Sequence, residues 1–323
     1  MLTAMEGAMG DVHQLIRQHG REEALRSEHA RAVVDAAAAY LAVEDTEIGF
    51  LYSGWCQAAL PHKRLADDAV WQIRTDHVTL LVQPGHKSLA EGDPVPVGVP
   101  YGSRARLILL YLQSEALRTQ RREVELGRSM NVWLRRMGIP VGGKSMRDVR
   151  DQAERISRCR MTFQIQSGNR RDLVNQSILD TSMFLADDGE GTQGTLLLET
   201  ARLSETFFEQ LQRHPVPVEE AAIQGLANNS MALDIYCWLA YRLHSLQEPK
   251  TVTWKALHPQ FGRSVVRLDH FRAYFRVNLE LALAVYPDAR VEAGAAGLRM
   301  SPSRPPVTPK LIQIPGIRTR KAS

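Results

Sequence analysis

This sequence is short of cysteine, of lysine and of every residue spacing that holds a metal. Its 323 residues include three cysteines, Cys56, Cys159 and Cys237, with no CxxC pair. An odd set of distant thiols builds neither a disulfide framework nor a zinc finger, and it fits a reducing cytoplasm, where the protein is expected to reside. No apolar run approaches the roughly 18 residues of a membrane-spanning helix, so no membrane association is expected. The opening MLTAMEGAMGDVH lacks the basic start and apolar middle of a secretion signal. HxH and HExxH are absent and the ten histidines are scattered, which removes the usual arrangement of a metal-dependent nickase. The chain is expected to be no enzyme, to hold no metal and to need no cofactor. Otherwise it has 44% hydrophobic and 24% charged residues, the composition of a soluble globular protein of two or three domains.

The net charge of +4 conceals segregation by block. Residues 1–99 carry 8 basic and 14 acidic side chains; 100–175 carry 16 and 7; 176–262 carry 5 and 11; 263–323 carry 11 and 4. Two separate basic blocks suggest two faces for a polyanion. Arginine supplies most of this charge, 33 residues against 7 lysines. Its planar fork suits phosphate and guanine edges, although a GC-rich genome produces the same bias.

Along the chain, 11–43 reads as helix, with Val12, Leu15, Ile16, Val33, Val34, Ala37 and Leu41 at helical spacing and Gly20 as a break. Residues 48–60 read as a short helix around Trp55, and 77–82 as a strand ending at Pro84-Gly85. The run EGDPVPVGVP at 91–100 marks a boundary. Residues 104–120 follow as a strong helix and 123–126 as a short strand. Ser129 caps a helix bearing Met130, Trp133, Leu134 and Met137. A turn over 138–143 leads to a helix over 145–159, and 161–166 with 174–185 form a hairpin tipped by SGNRRD, with 194–200 as a further strand. The same order recurs: helix 231–246, strand 251–254, helix 255–260, turn 261–264, helix 265–286, hairpin 289–291 with 297–300. Helix, strand, helix, turn, helix and hairpin is the order of a winged helix. The expected fold is therefore α+β and mostly helical, with two tandem winged-helix domains carrying small antiparallel β wings plus a helical N-terminal region. The expected divisions are 1–90 for that region, 91–202 and 203–305 for the winged helices, and 306–323 for a basic tail.

The third helix of each unit divides on a helical wheel. In the first, Met146, Val149, Ala153 and Ile156 make a core stripe. Arg147, Asp151, Glu154, Arg155 and Arg158 lie opposite, flanked by Lys144 and Arg150. In the second, Leu268, Phe271, Phe275, Asn278, Leu279 and Ala282 face the core, with Arg272, Arg276, Asp269 and Glu280 outward and Arg267 and His270 in the first turns. A recognition helix requires this division, and a solvated surface helix shares it. The candidate DNA-binding set is Lys144, Arg147, Arg150, Arg155, Arg158, Arg170, Arg171, Arg263, Arg267, His270, Arg272 and Arg276. Arg170 and Arg171 belong to the wing tip, where a basic hairpin reaches backbone or minor groove. Tyr236, Trp238 and Trp254 read as core.

Gly138-Ile139-Pro140-Val141-Gly142-Gly143-Lys144-Ser145 matches the phosphate-cradling GxxxxGK[ST] pattern. A working P-loop leaves a buried parallel strand, whereas NVWLRRM before it has helical spacing. The glycines serve equally as a tight turn between helices, with Lys144 placed near a DNA phosphate. A P-loop NTPase remains a lesser alternative.

Val82-Gln83-Pro84-Gly85, GVPYGSRARLILLYLQSEALRTQ (98–120), LGRSMNVWLRRMGI (126–139), GGKSMRDVRDQAERI (142–156) and LDIYCWLAYRL (233–243) resemble the RepA family of plasmid replication initiators, above all those of broad-host-range plasmids of Gram-negative bacteria. The resemblance spans about 80–310; 1–75 has no counterpart in it. It implies a tandem winged-helix protein that binds direct repeats, the iterons, in double-stranded origin DNA. It further implies melting of adjacent AT-rich DNA, recruitment of the host helicase and host initiator protein, and a monomer–homodimer equilibrium in which dimers repress the initiator's own gene. The iteron-reading role is assigned to Arg267, Arg272 and Arg276, and the backbone role to Arg147, Arg150 and Arg158, from helix geometry in this chain. A winged-helix transcriptional repressor without an initiator role is the alternative.

Overall fold

The computed structural model describes residues 10–44, 46–75, 78–167, 170–176, 178–180 and 200–308, with backbone alone for 10–11, 166–167 and 170–176. They form two compact units, one from the described parts of Met1–Ile48 and Pro217–Pro309, the other from the described part of Gly49–Val216.

The chain begins with α1 (Gly10–Ala24) and α2 (Arg31–Leu41). Gly20, at φ 80°, kinks α1 at the break read from the sequence. The apolar side of α2, with Val33, Val34, Ala36 and Ala37 buried, packs on the C-terminal helices of its own unit. The chain passes into the second unit within β1 (Ile48–Tyr52). Here the expected short helix is half strand, and only α3 (Ser53–Gln57) is helical.

The second unit uses much of what the sequence placed in an N-terminal region. The strands β2 (Trp71–Arg74) and β3 (Val78–Gln83) form an antiparallel hairpin. After the short pair β4 (His86–Lys87) and β5 (Val95–Pro96) come α4 (Gly102–Thr119), β6 (Glu123–Glu125), α5 (Met130–Arg136) and α6 (Gly143–Arg158). The hairpin of β7 (Arg160–Ser167) and β8 (Arg170–Gln176) then extends the sheet to the antiparallel order β2-β3-β7-β8. Trp71, Ile73, Val78, Leu80 and Val82 alternate inward, as a half-buried sheet requires, with Met161 and Phe163 on β7. Tyr52 and Trp55 meet the Phe163 ring edge-on at 5.4 and 4.9 Å. β6 pairs with β9 (Thr200–Arg202), and the unit closes with α7 (Glu205–Arg213) before the chain returns within β10 (Pro215–Glu219).

The first unit resumes with α8 (Glu220–Gly225) and α9 (Ser230–Arg242), whose last turn runs into a 3-10 turn at Leu243–Ser245. Then follow β11 (Lys250–Thr253), α10 (Trp254–Phe261), α11 (Leu268–Ala284), β12 (Val291–Ala293) and β13 (Gly297–Met300), with sheet order β11-β13-β12. Phe275 sits among the rings of Trp254, Phe261 and Phe271, each edge-on. The Ser129 cap read from the sequence is present, accepting from Val132 N at 3.4 Å, and Thr253, expected as a strand residue, also caps its helix, accepting from Ala256 N at 3.2 Å.

The fold is thus mixed, with helices and small antiparallel sheets, and the doubled element order is there. The divisions at 90/91 and 202/203 are corrected. Residues 49–90 fold with the 91–216 segment because β2 and β3 complete its sheet, and α1 and α2 fold with the C-terminal unit. The 91–100 run is exposed over 91–95 but packed at its end, with Gly98, Val99 and Pro100 buried. Proline and glycine report interrupted secondary structure, which differs from absence of contacts. The expected strand 194–200 falls outside the described residues except for Thr200, as does the basic tail beyond 308. All three cysteines are buried and outside any disulfide, and no described helix is long and apolar enough to cross a membrane.

Candidate nucleic-acid interface

On α6 three of the four stripe residues, Val149, Ala153 and Ile156, are buried and Met146 is half-buried; Gln152 joins them, its Oε1 accepting from Tyr101 N at 2.8 Å. The N-terminal half exposes Lys144, Arg147 and Arg150, and among the described residues their side chains have no ion-pair partner. Helix-terminal N–H groups add positive potential at the same end. The C-terminal half is neutralised internally. Glu154 lies 3.3 Å from Arg158 Nε and 3.6 Å from Lys87 Nζ, and Arg158 also donates to His86 O at 3.1 Å. Anion-binding capacity is therefore concentrated on the first two turns, the part of a recognition helix that enters a groove.

Arg155 is a correction to the candidate set. It is only 3% exposed, and its guanidinium is held inside the protein. Nε donates to Asp151 at 3.0 Å, Nη2 to Asp67 at 3.3 Å and Nη1 to Val99 O at 3.4 Å, over the Tyr101 ring. Burial acts to raise the Asp67 carboxyl, but Arg64 and Arg155 together hold it below the ordinary carboxylate range. The wheel missed this because Arg155 points sideways, and the segments around Asp67 and Val99 fold over that flank. Gly98 permits their approach: at φ 79°, a Cβ there would overlap Arg155 Nη1 and lie 2.7 Å from Asp67 Oδ1. Arg155→Met is expected to lower stability by about 2 kcal/mol in urea unfolding, less than for a fully buried pair because Asp67 and Asp151 stay partly in water. DNA affinity of the folded fraction is expected to be unchanged; a loss of affinity at unchanged stability would return Arg155 to the groove.

The turn between α5 and α6, which carries the P-loop match, joins helix to helix where a P-loop joins strand to helix. Gly138, at φ 65°, ends a helix rather than a strand, and Ile139 is buried. Gly142 and Gly143 open α6 with open space around them. The glycines join two helices, as the alternative reading held. Arg170 and Arg171 lie in the first residues of β8; their side chains, with tip residues 168–169, lie outside the described residues.

On α11, Phe271, Phe275, Asn278, Leu279 and Ala282 are buried as expected. The preceding turn is fixed by His258 Nε2 donating to Val265 O and Val265 N donating to Gly262 O, both at 2.7 Å. Arg263, in that turn, is exposed. Arg267 is exposed and paired with Asp269, with Nε to Oδ1 at 3.1 Å, and this hydrogen bond holds the Asp269 carboxyl down at about 2. His270 is exposed beside the same carboxylate. Arg276 is exposed but donates to Gly294 O in the β12–β13 turn at 3.1 Å and covers the Trp254 ring. Arg272 is half-buried, with its Nε buried and without a hydrogen-bond partner. The arginines expected at the centre of this face thus stand at its edge. The centre is a line of His270, Ala273, Tyr274 and Val277, all exposed, which only charge-weighted reading of the wheel passed over.

The family model described as "Plasmid encoded RepA protein" matches residues 99–256, just under half of the chain. Among solved structures, the crystal structure of selenomethionine derivatives of domains 2 and 3 of RctB is similar at TM-score 0.51 and 11% identity, over 80% of this chain and 99% of that one. A second crystal structure of RctB domains 2–3 gives 0.43 and 12%, over 70% and 80% of the two chains. At these identities the first likeness speaks for the fold. No curated protein sequence matches.

Proposed function

We propose, on the premise that residues 99–256 belong to the plasmid-encoded RepA family, that this chain is a replication initiator binding iteron repeats in double-stranded origin DNA through two winged-helix modules. One observation supports the reading: α6 and α11 are each third in a helix–strand–helix–helix–hairpin series and each buries one side, while α6 exposes a basic N-terminal half and α11 a mixed polar and apolar one. That is the division of a helix seated in a major groove, with phosphate contacts positioning it and base edges specifying the site. Local melting of AT-rich DNA, recruitment of host helicase and initiator proteins, a monomer–homodimer equilibrium and repression of its own promoter belong to the same proposal. It requires no catalytic group, metal or cofactor in this chain.

A footprint of the full chain on the DNA flanking its own gene tests this. Protection of several direct repeats is expected. Protection of one inverted repeat only, together with failure to support replication of a plasmid lacking another initiator, would favour the repressor reading instead.

A further inference from the structure

We infer that α11 reads thymine through its methyl groups, so that its half of each site is a run rich in A·T pairs. The inference rests on the DNA-binding reading above and specifies what that helix recognises. Large apolar side chains exposed to water are few among the described residues, yet three of the eight fall on or just before α11: Val266 at 96%, Tyr274 at 45% and Val277 at 56% exposure. Ala273 lies on the same line. They are bordered by Arg267 and Arg276 and by the carboxylates of Asp269 and Glu280, within the block 263–323 that carries 11 basic and 4 acidic residues. A helix surface that is apolar at its centre, in a block of net positive charge, suits a polyanion that carries apolar groups in a groove. The thymine C5-methyl is the only such group on the major-groove edge of a base pair.

The spacing agrees. Ala273 and Val277 are four residues apart, about 6 Å along a helix axis at 1.5 Å per residue. Stacked base pairs are about 3.4 Å apart, so the two side chains span methyls within two or three consecutive base pairs. Tyr274, on the far side of Val277 from Ala273 on the wheel, offers a ring face to a methyl and a hydroxyl to a neighbouring phosphate or base edge. Arginines that would otherwise read guanine are engaged elsewhere, Arg276 with Gly294 O and Arg267 with Asp269.

The experiment uses the full chain and the fragment its footprint defines, with each thymine replaced in turn by deoxyuridine, which removes only the methyl. At two or more positions the substitution is expected to weaken binding about three- to fivefold, the value of one buried methyl group. Val277→Ala, on the surface and checked by its melting transition, is expected to abolish that sensitivity at one of them. An intact footprint with no deoxyuridine effect overturns the inference alone. The same holds if Val277→Ala leaves every effect in place, or if it shifts the monomer–dimer equilibrium without touching DNA affinity, which would assign the patch to a second copy. No sequence-specific footprint at all overturns the parent reading and the inference with it.

Discussion

Phe275→Ala is expected to remove about 3–5 kcal/mol from the unit that contains it, the cost of deleting a fully buried aromatic ring. Phe275 is unexposed and meets Trp254 at 5.8 Å, Phe261 at 5.3 Å and Phe271 at 5.5 Å, all edge-on. The three neighbouring rings are poorly placed to fill the hole, because each is itself fully or almost fully buried. At roughly 3–4 °C per kcal/mol for a unit of this size, the corresponding melting transition should fall by about 10–20 °C. Domains hold only about 5–15 kcal/mol in total, so specific DNA binding should disappear well below the wild-type melting temperature. Scanning calorimetry of the full chain reads both units at once. A shift below a few degrees would mean that α10 and α11 are not packed through these rings.

The second large effect is electrostatic. Replacing Lys144, Arg147 and Arg150 together by alanine removes three exposed cations from the first turns of α6. If each neutralises one phosphate, the slope of log affinity against log salt should flatten by about 2–3 units, and affinity near 0.1 M salt should fall about a hundredfold. The loss should be nearly uniform across DNA sequences, since phosphate contacts carry no base information. Arg158→Ala is the internal comparison: its guanidinium is already held by Glu154 and His86 O, so its effect should be several-fold smaller. Unequal losses on cognate and random DNA would move the α6 residues from backbone contact to base reading. Fluorescence anisotropy titrations over a salt series measure all of these quantities.

Local signals were legible and distant ones were not. The Ser129 cap, the helix at 102–119, the turn at 138–143 and the strand–helix–helix order after 250 follow from periodicity, caps and breakers within a few residues of each other. The partner of β7 did not, because β3 comes from a hairpin some eighty positions earlier, and alternation in 71–82 says that a strand exists without saying which strand it pairs with. The same limit governed the site. Lys144, Arg147 and Arg150 are where a wheel puts them, because only their own helix decides their exposure. Arg155 is not, because Asp67, Gly98 and Tyr101 decide its fate. On α11 the arginines drew attention that the exposed Tyr274 and Val277 warranted, since charge is read more readily than an apolar residue left uncovered.

The unit that carries α11 is gathered from both ends of the polypeptide, with Gly49–Val216 lying between its two segments in the chain. During synthesis the intervening unit is complete once residue 216 has left the ribosome. The apolar sides of α1 and α2, with Val12, Val33, Val34 and Ala37, must wait for α8 and α11 to emerge. At about 5–20 residues per second that interval is roughly 10–50 s. The nascent protein therefore carries an unmatched hydrophobic surface until α11 emerges, and chaperone dependence should track residues 10–41 rather than the hairpins β7–β8 and β12–β13.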